Sequence, residues 1–266
     1  YGAEFLRRGV GLYFDNTWPE PAVDSRTSTS YRLERLEPGR GTSVQCSAGL
    51  WSRRKYFRRI WTLHRQLPPD TMNPRMVLHM TNTHVLPYMV WNDSNLDLEW
   101  RVGSGTAQSK YPADLLRAET LGLQTGNVPV SLSARGGGSR HFGAMMVHEI
   151  RVKARGKLLD KLAEFGYTQS DARIYNYWDP NPPLITSDSE CKWLMVKHHG
   201  ELMVLFCTWN PKDTEVKVNL KLGDIGVQAG AARDVESEAS MRVEKGSFRF
   251  TMPGHGVRMF HIHKND

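Results

Sequence analysis

The residue types that could do chemistry crowd into one stretch, "MVLHMTNTHVLPYMVWNDSNLDLEW", residues 76–100. An apolar run, Met76 to Met80, stops at Thr81-Asn82-Thr83-His84. A second, Val85 to Trp91, empties into Asn92, Asp93, Asn95, Asp97 and Glu99, with Trp100 close behind. Amides, imidazole, carboxylates and indoles at the ends of buried segments suit a sugar. Its hydroxyls need paired donors and acceptors, and a pyranose face rests on an aromatic plane. Asp97 and Glu99 share a face if their segment is extended. Two carboxylates roughly 5–9.5 Å apart hydrolyse glycosidic bonds, although solvated loop charges account for the same residues. Asp15-Asn16, closing "GVGLYFDN", repeats the pattern, either as site groups or as a turn cap before Pro19. Asn82 and His84 can equally cap a following helix, and Trp91 and Trp100 can equally be core. His79, His84 and Asp93 include metal-ligand types, but their spacing across a strand end matches no standard pattern, so neither a metal nor a cofactor is expected.

These residues need elements to hold them. "GVGLYFDN" (9–16), "PRMVLHMTN" (74–82), the Val85–Trp91 run and "NVPVSLSA" (127–134) read as buried strands. Between them lie a basic helix at about 51–66 and "PADLLRAETLGLQTG" (112–126), with Pro112 near its start and Gly126 after its end. Segments near 140–150 and 156–166 also read as helical. Apolar strands alternating with helices argue for a parallel sheet covered on both faces, and a piece of a (β/α) barrel is the best candidate. In such a barrel every strand points its carboxyl end at one rim, which carries the site. Asp15, Asn16, Asn82, His84, Trp91, Asp93, Asn95, Glu99 and Trp100 would then converge, with Asp93 or Glu99 as catalytic acid.

After Gly166 the pattern changes. "CKWLMVKHHGELMVLFCTWN" (191–210) reads as two strands turning at His199-Gly200, "TEVKVNLKL" (214–222) alternates with period two, and "SFRFTM" and "GVRMFHIH" close the chain. The division expected is a partial barrel over 1–170, a connection over 171–183, and an antiparallel β-sandwich over 184–266 in which nothing looks helical.

The hydrophobic content of 39% supports a packed core, and no run approaches the roughly 18 apolar residues of a membrane span. Net charge is +8 over residues 1–170 and −1 over 171–266. Much of the excess lies in "WSRRKYFRRIWTLHR" (51–65), where Phe57, Ile60, Trp61 and His64 share one helical face and Arg54, Lys55, Arg58 and Arg65 favour the other. A solvated face explains that charge, and no nucleic-acid motif accompanies it. Cys46, Cys191 and Cys207 show no metal-knuckle spacing, while Cys191 and Cys207 fall in neighbouring predicted strands where a disulfide is conceivable.

The segments "GVGLYFDNTWP", "LHMTNTHVLPYMVWNDSNLDLEW" and "RAETLGLQTGNVPV" resemble the later part of large bacterial proteins described as glycoside hydrolase family 123-like, over roughly residues 1–180. The resemblance implies a (β/α)8 catalytic barrel, a secreted or periplasmic setting, a carbohydrate substrate, and action on glycosidic bonds, including those of N-acetylated sugars. It also implies an adjacent Asp-Glu pair at a mid-barrel strand end, the substrate's acetamido group being the nucleophile. No Asp-Glu dipeptide occurs in this sequence; Asp97-Leu98-Glu99 is the nearest mimic. About four strand units make half a barrel, which exposes an apolar inner face. The chain also opens on Tyr1 and enters a strand-like run at once. The expectation is therefore the C-terminal half of a barrel, completed by an N-terminal segment of the same protein or a companion chain. Neither nucleic acid nor membrane is expected as a partner. The alternative is a non-catalytic carbohydrate-binding or structural protein on a barrel-derived scaffold.

Overall fold

The computed structural model describes residues 11–15, 17, 31–37, 40–46, 49–66, 76–79, 85–97, 105–118, 126–131, 138–152 and 156–264. The chain divides into two compact units, residues 1–99 with 121–130, and residues 100–120 with 131–266.

In the first unit, β1 (Leu12–Phe14) precedes a hairpin of β2 (Tyr31–Glu37) and β3 (Arg40–Cys46). The helix Leu50–Arg65 leads to β4 (Met76–His79), and the short helix Leu86–Met89 to β5 (Ser94–Asp97); β6 is Val128–Ser131. Sheet order is β1-β4-β5-β6. Both β1 and β5 run parallel to β4, with Leu12 opposite Met76 and Val77 opposite Ser94. A parallel neighbour requires a crossover, and the helices supply it.

The helix Leu50–Arg65 buries Phe57, Ile60 and His64 and leaves Lys55, Arg58, Arg59 and Arg65 exposed. Phe57 meets Phe14 of β1 at 5.3 Å and Tyr88 at 5.5 Å between ring centroids, both edge-on. Leu78, Val85 and Met89 complete this small core. The segment Val85–Trp91 was expected to be a strand and is not. Pro87 sits in the first turn of the helix Leu86–Met89, and the residues it buries, Val85, Tyr88 and Met89, follow the i, i+3, i+4 pattern of one helical turn.

The second unit contains the helices Ala107–Lys110, Ala113–Ala118, Gly138–Met146 and Lys157–Phe165 and the short strand β7 (Arg151–Val152). Then come β8 (Arg173–Asn176), β9 (Leu184–Thr186), β10 (Cys191–His198), β11 (Glu201–Thr208), β12 (Thr214–Leu220), β13 (Ala231–Asp234), β14 (Ser240–Arg242), β15 (Ser247–Met252) and β16 (Val257–His263). They form a six-stranded sheet, β14-β13-β16-β11-β10-β8, and a three-stranded sheet, β15-β12-β9. Inside the stretch read as a connection, β8 pairs with β10, Leu194 opposite Asn176.

The core lies between the two sheets. Trp193, Met195, Val204, Phe206, Phe260 and Ile262 from one meet Val216, Val218, Phe248 and Phe250 from the other. Phe250 lies 5.1 Å from Phe206 and 4.7 Å from Phe260. Strands β12 and β15 alternate buried and exposed along their length, because only one face of their sheet is covered. Strand β11 is buried from Leu202 to Thr208 on both faces. The helix Gly138–Met146 packs on its outer side, so close that a Cβ on Gly143 would collide with the Val257 side chain.

Register also separates two thiols. Cys191 lies opposite Thr208 and Cys207 opposite Lys192, which puts their side chains on opposite faces of the sheet. Both cysteines are free and buried, and burial pushes both thiols up, Cys207 to about 12. The sandwich region also holds one short helix that periodicity did not suggest, Leu222–Ile225, closed by Gly226 at φ 65°.

Candidate functional site

At the carboxyl ends of the parallel strands, β1 and β4 bring three polar side chains together. His79 ends β4 with its ring buried, and its Nδ1 lies 2.7 Å from Oδ1 of Asp15, the residue after β1. The Tyr13 hydroxyl lies 3.0 Å from the same carboxylate oxygen and 2.8 Å from Nδ1. With Nδ1–H and the phenolic O–H both donating to Asp15, the phenolic oxygen is left as a second acceptor that shares Nδ1–H. The position is fixed from below by Thr17, whose backbone N–H (3.0 Å) and hydroxyl (2.9 Å) both donate to the His79 carbonyl. The Asp15 side chain stays 57% exposed and Tyr13 53% exposed, so the cluster opens to solvent although its imidazole is buried. An oriented carboxylate beside an accessible phenolic oxygen can accept hydrogen bonds from sugar hydroxyls.

The other predicted residues divide by position. Trp91, Asn92, Asp93 and Asn95 lie at or near the start of β5, not at the end of a strand. Asp93 N–H donates to the Met76 carbonyl (2.9 Å) and Asp93 Oδ2 accepts from Met76 N–H (2.7 Å), so Asp93 clamps the first residue of β4. Asp15 is level with His79, three residues further along the strand, which is roughly 10 Å away. Asp93 therefore does not converge with Asp15. Asn92 Nδ2 donates to Asn95 Oδ1 at 2.9 Å, and Asn127 Nδ2 donates to the Asn92 carbonyl at 2.7 Å and also meets its side-chain oxygen. These buried amides tie β5 to the segment before β6. Trp91 is half-buried, with the guanidinium groups of Arg54 at 5.6 Å and Arg58 at 5.5 Å from its ring centroid. Asn16, Asn82, His84, Glu99 and Trp100 lie outside the described residues, as does the Asp97 side chain.

Tyr13 and the His79–Asp15 pairing are what sequence reasoning missed. The available signal was modest: a Tyr two positions before Asp15 projects to the same face in an extended chain, and His79 closes an apolar run.

A second polar cluster, in the other unit, is structural. His148 is fully buried, with Nδ1–H donating to the Ala144 carbonyl (2.7 Å) and Nε2 accepting from the Tyr177 hydroxyl (2.9 Å). Trp178 stacks on the imidazole at 5.9 Å, and Trp209 meets it edge-on at 5.5 Å. Burial lowers its pKa to about 4, so the ring is neutral at physiological pH, and burial also raises that of the Tyr177 phenol. Beside it Glu149, at φ 58°, accepts from Asn176 Nδ2; burial raises its carboxyl above the usual range.

Comparison with known proteins adds three findings. The solved structures that resemble the chain include a GH27-β-L-arabinopyranosidase from Geobacillus stearothermophilus, with TM-score 0.53 and 10% identity over 99% of this chain and 61% of that one. They also include a maltogenic α-amylase from Thermotoga neapolitana, with TM-score 0.46 and 11% identity over 85% and 69%. At such identity the likeness to the arabinopyranosidase is one of fold, and the chain spans about three fifths of that enzyme's length. No curated protein sequence matches the chain. Residues 156–246 match the family model described as "Glycoside hydrolase 123, C-terminal domain", which takes in β8 to β14 and the helix before them. The family match is therefore to the C-terminal domain of glycoside hydrolase 123, over residues whose strands belong to the two antiparallel sheets.

Proposed function

We propose that the chain is the C-terminal part of a glycoside hydrolase whose (β/α)8 barrel includes β1, β4, β5 and β6, and that Asp15, His79 and Tyr13 line its sugar site. The observation that carries this reading is the convergence of Asp15 and His79, at 2.7 Å, on the carboxyl ends of two adjacent parallel strands. That rim is where barrel enzymes place their chemistry. Asp15 accepts from sugar hydroxyls, His79 orients it, and the exposed Tyr13 hydroxyl, its proton directed to Asp15, offers the sugar a second acceptor oxygen. Asn16, Asn82, His84 and Trp100 belong to the same rim on this reading. Glu99 is the proposed acid in this chain, since it follows the end of β5, and Asp93, engaged with the Met76 backbone, is dropped from that role. The second catalytic carboxylate, the proposed N-terminal barrel half and the preference for N-acetylated sugars rest on the family match. A secreted or periplasmic setting is part of the same proposal. Among the described residues no helix is long and apolar enough to cross a membrane.

The test uses the complete protein and a panel of 4-nitrophenyl glycosides, including N-acetylgalactosaminide, N-acetylglucosaminide and arabinopyranoside. Release of nitrophenol from one of them, with kcat/KM reduced at least tenfold in D15N and in E99Q, is the expected result. Undiminished turnover in D15N removes the rim assignment. One observation favours a second reading, the non-catalytic carbohydrate-binding protein: the chain has no Asp-Glu dipeptide. Saturable glycan binding without product release by the complete protein would support it.

A further inference from the structure

The β10–β11 hairpin turns through His199 (φ 48°) and Gly200 (φ 81°), the left-handed pair of a two-residue type I′ turn. Successive residues of a strand normally point to opposite faces. Here the left-handed backbone at His199 ends that alternation, and the two rings come together with centroids 3.8 Å apart. A carboxylate joins them from a different element. Asp171 lies in the turn after the helix Lys157–Phe165, and its Oδ1 is 3.3 Å from His198 Nε2. One ligand atom from each of Asp171, His198 and His199 lies within 4.8 Å of the others.

The position of His198 is set by its neighbours. Its side chain is 12% exposed, Phe165 meets the ring edge-on at 6.2 Å, and the ring fits only because residue 166 is glycine. A Cβ there would overlap Nδ1, so Gly166 (φ 113°) serves both the helix end and the imidazole. Nε2 is thereby left facing Asp171. The Asp171 side chain is 65% exposed and His199 is exposed, so these two can close on an ion while His198 stays fixed. The other imidazole–carboxylate pair on this sheet, His261 with Glu201 at 2.6 Å, is a two-group contact.

We propose that Asp171, His198 and His199 form a surface site for a borderline divalent cation, of which Zn²⁺ is the test case, that ties the hairpin tip to the turn before β8. Two neutral imidazoles and one carboxylate are the donor set that Zn²⁺, Ni²⁺ and Cu²⁺ select over Mg²⁺ or Ca²⁺. In a tetrahedral Zn²⁺ site with bonds of about 2.0–2.1 Å, donors lie roughly 3.4 Å apart. Small rotations of Asp171 and His199 close the present spacing to that value, and water fills the remaining position. The site is independent of the sugar rim and is read from this unit alone.

The experiment is calorimetric titration of the EDTA-stripped full chain with ZnCl2 at pH 7.5, with thermal unfolding in parallel. One Zn²⁺ per chain at micromolar Kd is expected, together with a Tm raised by several degrees. H199N is the informative variant, because Asn accepts a left-handed backbone while removing the imidazole. Its metal-free Tm should match that of the unsubstituted chain while Zn²⁺ affinity falls at least tenfold. D171N should weaken binding similarly. Absence of a one-to-one site in the unsubstituted chain overturns the proposal, as does H199N or D171N binding Zn²⁺ as tightly as that chain.

Discussion

The two regions of this protein are built on different length scales. In the antiparallel sandwich, strands of seven and eight residues pair along their whole length, and β10 reaches β11 through a two-residue turn. In the parallel region the strands are three and four residues long, and β1 finds its neighbour β4 with Leu12 opposite Met76, after a hairpin and a helix have intervened. The sandwich draws its cohesion from a continuous apolar layer shared by both sheets. Among the described residues, the parallel region shows the clusters of Phe57, Leu78, Val85, Tyr88 and Met89 and of Ile60 and Met76, with polar clasps beside them: Asp93 on Met76, Asn127 on Asn92, Thr17 on His79. Directional polar bonds beside small apolar clusters allow stability and any site at the strand ends to draw on different residues.

The largest effect should come from the sandwich. Phe260→Ala empties the contact with Phe250 and Phe248 and should cost about 3–5 kcal/mol in urea unfolding. A loss well below that range would mean that the apolar layer does not dominate. Next comes acid. His148 has a pKa of about 4 in the fold against 6.5 as the ordinary value, so the unfolded chain takes up the proton first as pH falls. The stability it contributes is complete above pH 6.5 and is lost between 6.5 and 4, by about 3 kcal/mol. Glu149, raised by burial, acts in the opposite sense, so the quantity to measure is the difference in pH dependence between the protein and H148Q. Equal slopes for the two would dissociate His148 from acid sensitivity.

Gly143→Ala forces a methyl group against Val257 and should destabilise by about 1–3 kcal/mol, although alanine favours helix elsewhere. A neutral result would show that helix and sheet can separate slightly without penalty. The smallest effect sharpens the contrast within the parallel region. D93N keeps an acceptor for Met76 N–H but gives up the charge, so stability should fall by about 1 kcal/mol with kcat unchanged. A collapse of kcat with normal stability would return Asp93 to the catalytic list.

What was legible in the sequence follows the same division. Alternation in 214–222 revealed a strand with one wet face, and His199-Gly200 revealed the hairpin. The face formed by Phe57, Ile60 and His64 revealed the helix that carries them. Each is a local signal, fixed by side-chain periodicity or by backbone sterics within a few residues. Val85–Trp91 defeated the reading because a short apolar run carries too few residues to distinguish one helical turn from a strand. With a helix there, Asp93 precedes β5 instead of following a strand, and lies at the opposite end of the strands from Asp15.

The sequence by itself determined the residue types available for sugar chemistry, the period-two alternation of the strands late in the chain, and a resemblance with which the family match over 156–246 agrees. Tertiary structure decided which of those residues meet. Asp15 and His79 are separated by 64 positions and Asp171 and His198 by 27, and nothing in the local pattern specifies either pairing. Cys191 and Cys207 sit on neighbouring strands yet face opposite sides, because register, set by the turn and the buried face, moves side chains across a sheet in steps of one residue. Periodicity is written along the chain. Convergence depends on pairing between distant segments, and only the folded sheet supplies that.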